Sequence, residues 1–258
     1  MKVMALESSV KQVAELDRSN FIAIPYEFIP ESHRVPGKHR MVVAPGRLAY
    51  SLALERVAEE FDRKLENTET DTLGRDYIGY FSWFESLRAN LLLGNNIPTL
   101  NDFGDFGRLL YQGMREEIDV YNALGKLVEP QLLDKYFLDI FGVGPPLRLE
   151  WLDAYLEKRE DRLYILTGNK TNVEKLDENT LMEERTPGIS LEDWLKNPTA
   201  QGLPRENVGE GALFYLSPIY GDRVARFSAG HKATVLDFRE GRPFGRFISL
   251  GVRSVRHE

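Results

Sequence analysis

The end of the chain, Ser249-Leu250-Gly251-Val252-Arg253-Ser254-Val255-Arg256, decides the fold. This short, plainly apolar stretch is typical of a buried β-strand. A buried terminal strand must have its backbone hydrogen bonds satisfied inside the fold, so it would hold the segment before it in place. We therefore predict that residues 217–248 form a surface anchored by the final strand.

Residues 217–248 have the composition of a recognition surface. They contain five aromatic residues, five arginines and four glycines. Aromatic and arginine side chains provide large contact areas at low entropic cost, while glycine lets loops adapt to a ligand. The plainer alternative is two exposed hairpins that carry ordinary basic residues. Composition alone leaves both interpretations open.

The bulk composition is that of an ordinary folded protein. Of the 258 residues, 42% are hydrophobic and 28% are charged, and no tract is of low complexity. A chain of this length can bury a full core, and no linker separates its halves, so we predict one domain with insertions over residues 1–258. The absence of cysteine excludes disulfides, thiol catalysis and cysteine-bound metals.

Charge is unevenly distributed along the chain. The formal net charge of −7 argues against a general attraction to nucleic acid or to anionic membranes. Residues 217–248, however, carry five Arg and one Lys against two Asp and one Glu, so we expect an electropositive surface on an acidic body. The N-terminus lacks the apolar core of a signal peptide, and no stretch approaches the roughly 20 apolar residues of a membrane span. We expect no membrane span and a cytoplasmic location, unless another export route exists.

Hydrophobic periodicity places most helices before most strands, which indicates an α+β fold. Ser82 with Glu85 and Thr99 with Asp102 have the spacing of helix N-terminal capping boxes. Helices are predicted near Val10–Leu16, over Gly46–Leu65, Ser82–Gly94, from Thr99, over Arg115–Leu127 and Gln131–Phe141, and after Ser190. Strands are predicted over Phe21–Ile29, Leu163–Leu166, Leu213–Leu216, Val224–Phe227, Thr234–Phe238 and Phe247–Val255.

No motif in the sequence indicates a set of catalytic residues. His33, His39, His231 and His257 show no metal-ligand spacing, so solvated loop histidines are favoured over a metal pair at His33 and His39. The acidic residues are scattered over amphipathic faces. No phosphate-binding loop, nucleophile elbow or ordered triad is recognisable. We predict a protein that is not an enzyme and has no catalytic residue, metal or cofactor.

An ordered series of short motifs covers residues 80–256. The motifs are Ser82-Trp83-Phe84-Glu85, Gly94-Asn95-Asn96-Ile97-Pro98-Thr99, Asp102-Phe103-Gly104-Asp105-Phe106, Glu150-Trp151, Leu163–Gly168 and Gly251–Arg256. The series resembles the formylglycine-generating-enzyme type of C-type-lectin fold. The resemblance implies paired N- and C-terminal strands, with helices packed on a small twisted antiparallel sheet. It does not extend to catalysis, because the copper-binding cysteines of those enzymes are absent and scattered histidines cannot supply the iron site of the related ergothioneine-type oxygenases.

Within that fold, the chain resembles the non-catalytic variable proteins of diversity-generating retroelements, of the archaeal type. Such proteins place a hypervariable segment just before the closing strand, which implies a variable ligand-binding region at residues 217–248. Val224–Phe227, Ala229, Ala233 and the final strand would be its framework. The positions nominated as variable are Ile219, Tyr220, Asp222, Ser228, Gly230, His231, Lys232, Thr234, Leu236, Phe238, Arg239, Glu240, Arg242, Phe244, Arg246, Phe247 and Ile248.

The resemblance implies a non-enzymatic protein that displays a diversified surface to a macromolecular ligand, with a protein favoured over nucleic acid. Tyr220, Phe238, Phe244 and Phe247 would anchor that ligand, and the arginines would favour an acidic partner. The scaffold further implies that Phe21–Ile29 pairs with Leu250–Arg256.

Two alternatives stay open. One is a metal-dependent, oxygenase-like enzyme of the same fold, with His33, His39 or His231 as metal ligands. The other is a single-stranded nucleic-acid binder that uses the aromatic and basic residues of 217–248. The acidic remainder of the chain disfavours the second alternative.

Overall fold

The structure is a computed structural model that describes residues 19–65, 68–168, 170–247 and 249–258, without the side chain of Thr186. Within these residues the fold is mixed α+β, with five α-helices and three sheets. The helices are α1 (Leu52–Glu60), α2 (Trp83–Leu92), α3 (Leu100–Met114), α4 (Pro130–Phe141) and α5 (Leu191–Lys196). A short 3-10 turn covers Glu31–His33. The helix predicted near Val10–Leu16 lies outside the described residues.

The strands form one small sheet, one large sheet and one hairpin. Their bounds are β1 (Ile22–Pro25), β2 (Arg40–Arg47), β3 (Thr68–Thr70), β4 (Asp76–Ile78), β5 (Tyr121–Asn122), β6 (Arg148–Arg159), β7 (Arg162–Thr167), β8 (Asn172–Lys175), β9 (Arg185–Ile189), β10 (Leu213–Leu216), β11 (Arg223–Ala229), β12 (Thr234–Asp237), β13 (Leu250–Gly251) and β14 (Arg253–His257). The small sheet has the order β14-β2-β1-β5, and the large sheet has the order β8-β7-β6-β11-β12-β10-β9, with β13 added to β6. β3 and β4 pair with each other.

Both predicted capping boxes are present. At the start of α2, Ser82 Oγ accepts a hydrogen bond from the Glu85 amide, and the Glu85 carboxylate accepts one from the Ser82 amide. Thr99 and Asp102 make the same reciprocal pair at α3. Each box satisfies two of the amide groups that a helix N-terminus leaves without partners.

Two helix predictions are wrong in extent or in kind. The helix predicted over Gly46–Leu65 begins only at Leu52, with Ser51 as its N-cap, because Gly46 and Arg47 belong to β2. The region Arg115–Leu127 is not helical. There α3 ends at Met114, and Glu116 has a positive φ of 61°.

The terminal strands share the small sheet but do not pair with each other. β14 pairs antiparallel with β2, where Val255 lies opposite Val43, and β1 pairs with the other edge of β2. The predicted pairing of Phe21–Ile29 with Leu250–Arg256 is therefore wrong, since β2 lies between them. The reason is burial: Val42 and Val43 point to opposite faces and are both buried, so β2 requires a central position.

Two hydrophobic clusters flank the long central strand β6. The larger one joins α3, α4 and α5 to the small sheet and to β10–β12. The second joins α1 and α2 to β6 and to Leu250 and Val252 of the closing segment. Helices α1 and α2 therefore pack against Leu250 and Val252 at the chain end.

A buried ionic network fixes the closing strand. Arg253 holds Glu150 of β6 through two hydrogen bonds of 2.7 and 3.0 Å, and Arg47 of β2 lies 2.9 Å from the same carboxylate. Arg47 also contacts Asp139 of α4 at 3.2 Å. All four side chains are at most 3% exposed. Burial alone would raise the pKa of Glu150, but Arg253 and Arg47 outweigh it and hold that pKa below its ordinary value.

Gly251 is required where the closing strand passes this network. A Cβ at that position would lie 2.8 Å from Cδ of Arg47 and 3.0 Å from the ring of Tyr77. Any larger residue would displace the buried side chain of Arg47. Close packing therefore explains why a glycine precedes Val252 and Arg253.

Candidate functional site

The nominated variable positions fall into three groups, and Ile248 lies outside the described residues. β10 runs parallel to β12, while β11 runs antiparallel to it, so residues 217–222 and 238–240 meet at one end of the large sheet. Residues 242–247 follow and lie against the start of α2, where the Trp83 amide bonds to the Pro243 carbonyl and the Tyr80 amide to the Phe247 carbonyl. We call the nominated residues of these segments that are exposed or half-buried the C-terminal patch. Its members are Ile219, Tyr220, Asp222, Arg239, Glu240, Arg242, Phe244, Arg246 and Phe247, of which Arg239 is half-buried.

The second group lies at the opposite end of the same strands. Gly230, His231 and Lys232 form the turn between β11 and β12. The seven residues of β11 separate this turn from Tyr220, Asp222 and Arg239 of the patch by about 20 Å, at roughly 3.3 Å per residue. A single partner face therefore does not include both groups unless it also covers the strands between them.

The third group faces inward or lies along the strands. Thr234 is 5% exposed, and Leu236 and Phe238 are fully buried. Ser228 is half-buried on β11. Phe238 packs edge-on against Tyr215 in the larger core, with ring centroids 6.1 Å apart, so its nomination as a ligand anchor is wrong. The alternation along β12 puts Leu236 on the core face, and Phe238 continues that face beyond the strand.

Tyr220 and Phe247 are the exposed aromatic residues at the sheet end of the patch. The guanidinium of Arg239 lies 5.4 Å from the Tyr220 ring, and that of Arg226 lies 5.0 Å from the Phe247 ring. Tyr220 is 45% exposed and Phe247 is 43% exposed. These cation–π contacts hold the rings in place while leaving much of their surface open.

Phe244 is the most exposed aromatic side chain of the patch. It is 74% exposed, and its ring lies 4.8 Å from Phe84 of α2. The Lys170 ammonium lies 5.6 Å from Phe84 and 3.4 Å from the centre of the Tyr155 ring. The half-buried Phe84 and Lys170 thus extend the patch, with Lys170 packed on the buried Tyr155, although no sequence pattern near them indicated a shared surface.

Arg246 ties the patch to the helix beneath it. Its guanidinium makes two hydrogen bonds, of 2.9 and 3.0 Å, to the fully buried carboxylate of Glu85, which Arg63 also contacts at 3.2 Å. Burial alone would raise the pKa of Glu85, but hydrogen bonds from Arg246 and Ser82 hold that pKa below its ordinary value. Arg246 therefore mainly anchors its loop to α2 through Glu85, and its guanidinium is less available for contact with a ligand.

The expected electropositive surface is largely neutralised. Arg226 pairs with Asp237 and Glu240, Arg239 pairs with Glu184, and Arg246 pairs with Glu85. Two of these carboxylates, Glu184 and Glu85, come from distant parts of the sequence. The segment's excess of basic residues is therefore largely balanced by folding, and the patch is aromatic more than basic.

The histidines do not form a metal site within the described part of the chain. His33 lies 2.9 Å from Asp105, and His257 lies 3.1 Å from Asp102 and 3.0 Å from the Tyr26 hydroxyl. His39 and His231 are exposed. Among the residues that the structure describes, no group of three or more His, Cys, Asp or Glu side chains is placed to hold a metal ion.

Comparison with known protein families, with curated proteins and with solved structures finds no match to this chain. In the portion of the chain that the structure covers, no helix has both the length and the apolar character needed to cross a bilayer.

Proposed function

We propose that this protein is a non-enzymatic binding protein that presents the C-terminal patch to another macromolecule, most suitably a protein. The observation that carries the proposal is the set of open aromatic rings, Tyr220, Phe244 and Phe247, held on a fully buried framework. Val224, Ala225 and Phe227 of β11 provide that framework, because each is at most 2% exposed. Rigid aromatic anchors on a fixed scaffold are the usual source of affinity at protein interfaces.

We also propose a C-type-lectin-like scaffold, supported by the presence of both terminal strands in one small sheet but not by their direct pairing. The first and last described strands of the small sheet lie on either side of β2, and α2 and α3 lie between them in sequence. The patch residues therefore lie between α2, which Phe244 contacts, and the closing strand β14, which is paired with β2. A scaffold fixed on both sides tolerates many side chains at its exposed positions.

We further propose that the exposed positions of the patch are the diversified ones, as in the variable proteins of retroelements. The buried residues Leu236 and Phe238 are not included, since any change there would cost core packing. Arg246 is the least free of the exposed positions, because its loss would leave Glu85 buried without its main partner.

Sequencing the gene and its flanking DNA across many members of the source population tests the diversification. We expect nonsynonymous changes to cluster at codons 219, 220, 222, 239, 240, 242, 244 and 247. Codons 236 and 238 serve as internal controls and should stay constant. A near-copy of the 3′ end beside a reverse-transcriptase gene is expected nearby. If the patch codons are as uniform as the rest of the gene, the protein is a fixed binder instead.

Combined replacement of Tyr220, Phe244 and Phe247 by Ala tests the binding surface itself. We expect affinity for a partner captured on the wild-type protein to fall at least about 100-fold, since each buried aromatic anchor typically contributes on the order of 2 kcal/mol. The melting temperature should stay almost unchanged because all three rings are exposed. The measurement is a binding titration with the captured partner.

Alanine at His231 and Lys232 is the matched control for that experiment. Both side chains are exposed, but they lie at the far end of β11, so their loss should leave affinity unchanged. A partner that binds the triple variant as well as the wild type would refute the patch as the interface. A steep fall of affinity with salt would instead favour single-stranded nucleic acid as the partner.

A further inference from the structure

A second site lies next to the C-terminal patch, in a cavity of about 470 Å³ between α1, α2 and β6. This volume falls within the roughly 300–1,000 Å³ that is typical of small-molecule sites. Phe84, whose ring also contacts Phe244 of the patch, forms part of its wall. The proposed macromolecular interface does not use this cavity.

Two buried polar side chains on the cavity wall have atoms without hydrogen-bond partners. Asp153 of β6 is 3% exposed; its Oδ2 accepts a 2.7 Å hydrogen bond from the Gly168 amide, while its Oδ1 has no partner. Asn95, also 3% exposed, has no partner for either Oδ1 or Nδ2. Leaving a buried polar atom unpaired is costly, so such atoms at a cavity mark a place where a ligand supplies the missing bonds.

The free atoms favour a ligand that donates hydrogen bonds and carries positive charge. Two of them, Oδ1 of Asp153 and Oδ1 of Asn95, are acceptors, and only one is a donor. Burial, with a further contribution from Asp102, raises the pKa of Asp153 to about 7, so this carboxyl lacks a stabilising cation. An anionic ligand would be repelled by the Asp153 carboxylate.

The remaining wall is apolar and partly open to solvent. Leu91 is 62% exposed and Phe61 is 40% exposed at the cavity, and Leu87 and Ile97 line it further. Exposed apolar side chains next to buried polar ones suit a ligand with an apolar body and a single polar head. The nearby Glu60–Arg88 ion pair, with bonds of 2.8 and 2.9 Å, is internally neutral and does not compete for the head group.

A metal ion fits this wall less well than an organic cation. Asp153 is one carboxylate beside one amide, and hard divalent cations such as Ca²⁺ require six or more oxygen ligands. An ammonium group needs only two or three acceptors at hydrogen-bond distance.

We propose that this cavity binds a small primary amine with an aromatic or aliphatic body, whose ammonium group pairs with Asp153 and with Oδ1 of Asn95. The body lies against Phe84, Leu87 and Leu91. The ligand would occupy a site adjacent to the macromolecular interface and share Phe84 with it.

Calorimetric titration of the full chain with phenethylamine tests the proposal. We expect a dissociation constant on the order of 0.1–1 mM, as befits a ligand of this size. Phenethyl alcohol has the same body without the charge and should bind at least tenfold more weakly. Equal binding of the alcohol and the amine to the wild-type protein would overturn the assignment without any variant.

Two variants locate the site. Asp153→Asn should weaken phenethylamine binding at least tenfold, and its melting curve verifies that it remains folded. Asp161→Asn removes the same charge from the exposed turn between β6 and β7 and should bind like the wild type. If Asp153→Asn is folded and binds phenethylamine normally, or if no binding occurs at the wild-type protein up to ten millimolar, the proposal is wrong.

Discussion

A chain shortened by its last eight residues, 251–258, is expected to be unfolded at room temperature. The truncation removes β14, which is bonded on both edges. Val255 pairs with β2 on one side, and its amide and carbonyl bond to Asn96 on the other at 2.9 and 2.8 Å. It also removes Arg253, so the buried carboxylate of Glu150 loses its bidentate partner. Loss of one partner from a buried ion pair alone typically costs about 3–5 kcal/mol, a large part of a domain's whole stability.

Near-UV circular dichroism and thermal melting of the truncated chain would measure this effect. Two single variants on the same strand provide the matched comparison. Arg253→Met should lower the free energy of unfolding by about 3–5 kcal/mol. Arg256→Met, at a side chain that is 41% exposed, should change it by less than about 1 kcal/mol. A truncated chain that melts like the full one would contradict the role assigned to β14.

The second large effect is expected at Asp153, as a dependence of stability on pH. Burial raises the pKa of this carboxyl from its ordinary value of 3.8 to about 7 in the folded protein. Folding therefore favours the neutral form of Asp153. The stabilisation that results is fully present below the ordinary pKa of 3.8, which applies to the unfolded chain, and is lost as the pH rises through about 7. A shift of roughly three units corresponds to about 4 kcal/mol at most.

Asp153→Asn should accordingly raise the free energy of unfolding by about 2–4 kcal/mol at pH 8 and change it little near pH 4. Denaturant unfolding of both proteins across this pH range gives the difference directly. Asp102, which contributes to the raised pKa of Asp153, is present in both proteins, so its effect is common to the two measurements. Asp161→Asn should show no such pH-dependent gain. A gain of equal size at low and high pH would mean that ionisation of Asp153 is not its cause.

Local sequence signals predicted the elements whose causes are local. The Ser82/Glu85 and Thr99/Asp102 spacings predict helix starts because a capping box involves only residues three apart. The order of helices and strands predicted the α+β class because the hydrophobic periodicity of each element is also a local property. Periodicity failed at Arg115–Leu127, where the apolar residues serve tertiary contacts, as Ile118 and Val120 do at the larger core.

That residues 217–248 form a binding surface stays a prediction, and the structure shows which of the nominated residues are exposed and which are buried. A strand-forming segment alternates between faces, so a run of nominated residues necessarily includes some that point inward, such as Leu236. Sequence alone does not show which face is buried until the neighbouring strand and helix are known. Phe84 of α2 lies beside Phe244 of the patch only because the fold brings them together.

The sequence by itself determined that the chain end is a buried strand, that its helices begin at capping boxes, and that an aromatic and arginine-rich segment precedes the closing strand. The tertiary structure decided that β2 separates the terminal strands, that Glu85 and Glu184 neutralise two of the patch arginines, and that Asp153 and Asn95 meet at one cavity. The difference has a physical reason. Caps and periodicity arise from residues within one or two helical turns, whereas ion pairing and cavity walls arise from side chains far apart in sequence, which only the packed fold brings together.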